Sequence, residues 1–266
     1  MSMKGKIIAL TGGASGIGLA TAQIISARGA TVCVADVDPK ALASAAEYFT
    51  SKSAPFMITK VDVSKRAEVD DWIDAVIEKH GRLDGAANCA GIIGKHHGIR
   101  SIAQLEDEEW DKIIGVNLTG MMYSLRAQLR KIADQGSIVC VSSVQGISGK
   151  PSPLSFLQSL MESLAGFPNH GAYGASKHGV VGLVRVAAKE VGHRNIRVNA
   201  LAPGAIQTPL MVKAEAIQGT DKHDEPSAIK RLGTAEEMGA VIAFLLGPES
   251  TFVTGSVYTA DGGWVC

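Results

Sequence analysis

Short apolar runs alternate with amphipathic stretches along nearly the whole chain. Residues 6–10, 31–35, 56–61, 83–87, 137–142, 196–201 and 256–259 are β-branched or continuously apolar and read as strands. Between them, residues 16–28, 39–49, 64–80, 172–191 and 235–246 carry apolar positions at helical spacing. Residues 106–132 hold one long helical pattern, with a break suggested near Gly115. Strands separated by helices imply right-handed βαβ crossovers and a parallel sheet covered on both faces. Unbroken apolarity along the strands, rather than alternation, agrees with burial on both sides. The series predicts one doubly wound α/β domain over residues 1–266 with a seven-stranded parallel sheet. A closed (β/α)8 barrel is the structural alternative, and a glycine-rich turn after the first strand favours the open sheet.

Composition narrows the partners. The 26 Lys+Arg balance the 26 Asp+Glu of the 266 residues, so no excess of positive charge suits a nucleic acid or a membrane surface. Hydrophobic residues make up 46% and charged residues 20%, which supports a buried core and argues against disorder. Apolar runs end well short of the ~18 residues of a membrane span. The first ten residues lack the pattern of a secretory leader, so a cytoplasmic protein is expected. Cys33, Cys89, Cys140 and Cys266 are widely spaced without a C-x-x-C pair, so neither a disulfide framework nor a metal site is expected.

Two local patterns carry chemistry. Thr11-Gly12-Gly13-Ala14-Ser15-Gly16-Ile17-Gly18 lies between a strand and a helix. Glycines there let the backbone approach a pyrophosphate, and the helix N-terminus supplies N–H donors. Asp36 ends the second strand, placed to accept hydrogen bonds from an adenosine ribose and to repel a 2′-phosphate. That favours NAD(H) over the phosphorylated cofactor; a turn or capping Asp before Pro39 is the alternative reading. Tyr173 and Lys177, four apart, share one helix face. A phenol is a poor base at neutral pH, and a nearby cation lowers its pKa towards use in proton transfer. A surface Tyr–Lys pair is the plainer alternative.

The spacing T-G-x-x-x-G-x-G at residues 11–18, followed by Y-x-x-x-K at residues 173–177, resembles the short-chain dehydrogenase/reductase family. The resemblance runs from Lys6 to Gly263. It implies a Rossmann-type sheet and adds further residues. Val61-Asp62-Val63 matches the stretch whose Asp meets the adenine, and Asn88-Cys89-Ala90-Gly91 resembles N-N-A-G, with Cys89 departing from it. Asn88 is kept there as a structural hydrogen-bonder. Pro203-Gly204-Ala205-Ile206-Gln207-Thr208 resembles P-G-x-x-x-T, in which Ile206 and Thr208 would hold the carboxamide and pyrophosphate. The implied cofactor-binding set is Gly12, Ser15, Gly16, Ile17, Gly18, Asp36, Asp62, Val63, Asn88, Ala90, Gly91, Tyr173, Lys177, Pro203, Gly204, Ile206 and Thr208. The implied catalytic set is Asn117, Ser143, Tyr173 and Lys177, with Ser142 as the fallback for Ser143. Asn117 would mark a local kink that holds a water near Lys177. The implied activity is an NAD(H)-dependent interconversion of a secondary alcohol and a ketone, and the two apolar stretches described next suggest a bulky apolar small molecule of terpenoid, steroid or polyketide type as substrate. Most relatives are homotetramers or homodimers. A regulatory or non-redox relative using the same pocket is the rival reading.

Ser143 and Tyr173 stand 30 residues apart, wider than is usual in the family. Within residues 150–171, Leu154, Leu157, Leu160, Met161 and Leu164 recur at helical spacing. They predict an added helix, either a lid over the substrate or a surface or oligomer contact. Residues 208–231 are a second candidate lid, expected as flexible loop. His96 and His97 are expected as solvated loop residues. Trp264 either enters a pocket or packs on a neighbouring subunit.

Overall fold

A computed structural model of the chain describes residues 2–147, 167–219 and 227–265. In chain order the elements are β1 (Ile7–Thr11), α1 (Gly16–Ala27), β2 (Thr31–Asp36), α2 (Pro39–Ser51), β3 (Phe56–Lys60) and α3 (Arg66–His80). They continue with β4 (Gly85–Asn88), α4 (Asp107–Ile114), α5 (Gly120–Lys131), β5 (Ser137–Val141) and α6 (Gly171–Val191). The last are β6 (Arg197–Pro203), β7 (Ile206–Gln207), α7 (Pro209–Gln218), β8 (Gly233–Thr234), α8 (Ala235–Leu246) and β9 (Val257–Ala260). The main sheet has seven parallel strands in the order β3-β2-β1-β4-β5-β6-β9.

The order follows from right-handed crossovers. The chain winds outward from β1 to β3, then returns to the other side of β1 with β4. Helices α1 and α2 cover one face and α3, α5 and α6 the other, while α8 returns to pack beside α1 on the first face. A crevice opens where the direction reverses, beyond the carboxyl ends of β1 and β4, and such crevices hold ligands in open α/β sheets. The two faces carry separate cores. Trp72, Ile73, Leu125 and Val184 pack on one, and Ile25, Leu42, Phe49 and Ile242 on the other. Strands β1, β5 and β6 are buried at every position, which explains their unbroken apolar runs.

Every expected main-sheet strand is present, with ends moved by one or two residues. Strand β5 stops at Val141, so Ser142 lies just beyond the sheet. The long pattern of residues 106–132 divides into α4, a wide π-type turn at Gly115–Thr119, and α5. The β7–β8 pair was not expected, because two-residue strands leave no periodicity to read.

One expectation is corrected. The start of the 208–231 stretch is not flexible loop but helix α7. Thr208 caps it by accepting from the Met211 N–H, Pro209 occupies its first turn, and Gly219 closes it at φ +65°. The helix expected within 150–171 falls mostly on residues 148–166, outside the described residues. No described helix is long and apolar enough to cross a membrane.

Candidate active site at the sheet switch point

The turn after β1 closes only with glycine. Gly12 and Gly16 take φ of +61° and +48°. A Cβ on Gly12 would lie 2.7 Å from the Ala90 backbone nitrogen, and one on Gly18 only 2.1 Å from the Gly12 carbonyl oxygen. Ser15 begins α1 without a side-chain cap, so the first-turn N–H groups have no capping oxygen. The turn is thus a glycine cradle against an uncapped helix N-terminus, which suits an anionic pyrophosphate. Gly12, Ser15, Gly16, Ile17 and Gly18 all line one cavity of about 890 Å³.

Asp36 sits at the end of β2 beside this cradle. Its Oδ2 accepts from the Ala14 N–H at 3.2 Å and its Oδ1 from the Asp38 N–H. The capping role is taken by Asp38, which accepts from Lys40 and Ala41 at the start of α2. Asp36 therefore remains at the cavity wall, tied to the loop that would hold the phosphates. Asp62 and Val63 follow β3 along the same wall, and the Asp62 carboxylate accepts from the Ser64 N–H and hydroxyl. Ala90 and Gly91 line it from beyond β4, and Pro203, Gly204, Ile206 and Thr208 from beyond β6.

Asn88 departs from the expected cofactor set. It is fully buried, and its side-chain amide exchanges two 2.8 Å hydrogen bonds with that of Gln128 on α5. It fixes the end of β4 from beneath and does not reach the cavity.

The candidate catalytic groups converge from three elements. Tyr173 and Lys177 stand one turn apart on α6, with the ammonium 5.5 Å from the phenol ring centre. Lys177 Nζ donates to the Val141 carbonyl at 3.0 Å, and Ser143 lies just past the same strand end. Ser143 is hydrogen-bonded to Tyr173. The hydroxyl of Ser142 instead donates to the Lys177 backbone carbonyl at 2.8 Å. Of the two serines, Ser143 is the one beside the phenol.

Asn117 lies in the π-type turn and is fully buried. Its Oδ1 accepts from the Ile92 N–H at 2.8 Å, and its Nδ2 donates to the Ile92 carbonyl at 2.9 Å and to Ser176 at 3.3 Å. It does not line the cavity but clamps the strand exit against α6. A Cβ on Gly91 would lie 3.4 Å from Lys177 Nζ and 3.6 Å from Asn117 Oδ1. The bare glycine backbone thus passes between the two.

Electrostatics modify the sequence argument. Burial pushes the Tyr173 phenol up to about 12, partly offset by the Ser143 hydrogen bond. Burial brings the Lys177 ammonium down to about 8. The expected lowering of the phenol by Lys177 is therefore not what this pocket does by itself. Tyr173 stands as a neutral proton donor with a cation nearby.

Sequence reading missed much of the far wall. His97 is not a solvated loop residue but a buried one, 9% exposed. Its ring lies edge-on to Tyr173, 5.2 Å between centres, and to His170 at 4.2 Å. Phe167 links His170 to Trp264 through two further ring contacts, and Trp264 lines the cavity. Gln145 completes this wall. Gln145 follows Ser143 by two residues and Trp264 was weighed as a pocket residue, whereas Phe167 and His170 carried no signal in the sequence. His96, by contrast, is hydrogen-bonded to Glu109, while Lys95 and Arg100 pair with Glu106.

Fold and site together define an oxidoreductase of the dinucleotide-binding class. The short chain dehydrogenase family model matches residues 6–155, and the model described as enoyl-(acyl carrier protein) reductase matches residues 155–265. The chain belongs to the short-chain dehydrogenase/reductase family. It is 59% identical to the short-chain dehydrogenase/reductase ABA4 of Pyricularia oryzae (strain 70-15), covering 100% of this chain and 94% of that one. It is 32% identical to cyclohexanol dehydrogenase of Acinetobacter sp. (strain SE19), covering 97% and 94%. The crystal structure of levodione reductase superposes with a TM-score of 0.85 at 34% identity, covering 97% of each chain. Members of this family bind nicotinamide cofactors and act on small molecules.

Proposed function

We propose that the protein is an NAD(H)-dependent dehydrogenase or reductase interconverting a secondary alcohol and a ketone on a bulky, largely apolar ring. The carrying observation is one cavity that runs from the glycine cradle and Asp36 to Ser143, Tyr173 and Lys177. The carboxylate at the end of β2 supports NAD(H), because its charge opposes a 2′-phosphate. Ile93, Phe167, Met211 and Trp264 make the far end apolar, as a ring substrate needs. Cyclohexanol dehydrogenase, among the relatives, is named for such a ring alcohol.

The substrate oxygen sits between Ser143 and Tyr173. Ser143 donates to that oxygen as charge develops on it. Tyr173 delivers its proton when a ketone is reduced and takes one when an alcohol is oxidised. A nicotinamide bound along the cradle supplies or accepts the hydride. Lys177 offers its charge to the phenolate and, when a cofactor is bound, its N–H donors to the ribose. Asn117 holds the backbone that frames Lys177. The chain acts as one domain over residues 1–266, and its subunits pair or form tetramers.

 The test is to follow NADH absorbance with a panel of cyclic ketones and alcohols, NAD(H) against NADP(H), for the wild type and Tyr173→Phe. We expect a preference for NAD(H), and a loss of turnover of about 10²–10⁴-fold in the variant with NADH binding kept. Retained turnover without the phenol, or a preference for NADPH, would sink the corresponding part of the reading.

A further inference from the structure

Lys177 is held to the exit of β5 at both of its ends. Its Nζ donates to the Val141 carbonyl at 3.0 Å, and its backbone carbonyl accepts from the Ser142 hydroxyl at 2.8 Å. The two anchors are consecutive residues, while the lysine lies on α6, 35 positions beyond Ser142. Ser142 is 2% exposed, and its own N–H donates to the Leu201 carbonyl of β6 at 2.7 Å. It is a post fixed to the sheet, not a loop residue free to follow the helix. Like Ser143 it lines the cavity, but its hydroxyl proton is committed to the Lys177 carbonyl.

The turn that follows presses on the same carbonyl. A Cβ on Gly146 would lie 2.6 Å from the Lys177 carbonyl oxygen and closer still to Ser142 Oγ. Turn and helix therefore meet backbone to backbone, with no room for a side chain between them. The turn is also braced from within. The Gly146 N–H donates to the Ser143 carbonyl at 2.9 Å, and the Gln145 N–H to Ser143 Oγ at 3.1 Å. Residues 142–146 thus carry Ser143 and seat the Lys177 backbone in one short piece of chain. A shift of α6 on this seat would move Tyr173 and Lys177 together relative to Ser143, and a displacement of about 1 Å can cost on the order of a hundredfold in rate.

We propose that Ser142 is a positioning residue for the reaction: by seating the Lys177 carbonyl it sets the register of α6 against β5, and with it the place of Tyr173 and Lys177 relative to Ser143. In this role Ser142 moves no proton and acts only through Lys177. Its brace is separate from that of Asn117, which reaches α6 through the Ser176 hydroxyl. The proposal rests on the alcohol–ketone reading above and adds to it what holds the reacting groups in line.

The test uses a cyclic alcohol that the wild type oxidises with NAD⁺, and reads kcat, KM for the alcohol and the thermal midpoint. Ser142→Ala should lower kcat by roughly tenfold and leave KM within about twofold, because the hydroxyl acts on alignment and not on binding. Ser137→Ala is the control. Ser137 stands at the other end of β5, is 2% exposed, and donates to the Leu245 carbonyl of α8 at 2.8 Å, the same kind of bond made away from the site. It should lower the thermal midpoint about as much as Ser142→Ala and leave kcat unchanged. A cooperative thermal melt reports the folding of each variant. If Ser142→Ala does not fold, Ser142→Cys, which keeps the size and a weaker donor, decides in its place, with kcat expected to fall several-fold at an unchanged KM. A wild-type kcat in the folded variant, or a fall matched by Ser137→Ala, would make Ser142 structural only and overturn the proposal alone. A loss confined to KM would assign Ser142 to substrate binding and overturn it as well. No turnover of any alcohol or ketone by a wild type that binds NADH would overturn the alcohol–ketone reading and this proposal with it.

Discussion

Gly18 shows how little freedom one residue can have. It lies in the first turn of α1, and a methyl group there would meet the Gly12 carbonyl oxygen at 2.1 Å. That oxygen belongs to the backbone of the cradle, so relief requires the cradle itself to open. Gly18→Ala should therefore weaken NADH binding by more than tenfold while the thermal midpoint shifts only slightly. Titration of NADH fluorescence checks this, and unchanged affinity would show that the cradle does not hold the cofactor. The cradle and the Tyr173–Lys177 pair were legible in the sequence because their geometry is local. A strand-to-helix turn and one turn of helix fix their relations within a few residues. His97 was not, since what matters about it is a neighbour far along the chain. Tyr173 lies 76 positions beyond His97. Asn88 was half-legible. Its structural role was expected, but its partner Gln128 comes from a helix that no motif marks.

Helix ends carry their own chemistry. Thr234 and Glu237 at the start of α8 form a reciprocal pair. Thr234 Oγ1 accepts from the Glu237 N–H at 3.2 Å, and Glu237 Oε2 accepts from the Thr234 N–H at 2.8 Å. Arg231 also pairs with Glu237. Helix α8 covers the sheet next to β5 and β6, so its start sets how that face closes. Thr234→Ala should cost about 1 kcal/mol, read as a lower urea midpoint with an unchanged slope. A midpoint equal to that of the wild type would mean the Arg231 pairing alone holds the helix start. Element types were largely legible, because burial on both faces imprints long apolar runs. Helix α7 was not, since its buried side is too small to impose a period; no residue in it is buried. Its cap and first-turn proline, Thr208 and Pro209, were the available sign.

At the scale of the whole molecule, burial sets the response to alkali. The thiols of Cys33, Cys89 and Cys140 are pushed up by burial from 9.0 to about 12. Between those values the unfolded chain has released protons that the folded chain still holds. Stability must then fall as pH rises through this window. Tyr173 acts in the same direction above 10.0, its ordinary value. Lys177 acts in the opposite direction between about 8 and 10.5, where the folded state has lost a proton that the unfolded state keeps. Three thiols outweigh one ammonium, so the urea midpoint should drop between pH 8.5 and pH 10.5. A level or rising midpoint would show that the thiols are not shielded as the structure has them. The parallel sheet itself was legible from the alternation of strands and helices, and its switch point follows from β1 lying between β2 and β4. The far wall of the pocket was not. It is assembled from the loop after β4, the approach to α6 and the last residues of the chain, which share no local pattern.

The wide turn at Gly115–Thr119 also keeps two helices in phase. Ile113 on α4 and Met121 on α5 are both buried. Eight positions apart on an unbroken α-helix, they would point about 80° away from each other. A turn that absorbs one extra residue brings them to within about 20°. The irregularity that places Asn117 behind Lys177 thus also lets α4 and α5 turn a common side inward. Winding the same residues as an unbroken α-helix would instead rotate α4 by about 100° against α5, so catalytic framing and packing are tied to the same wide turn.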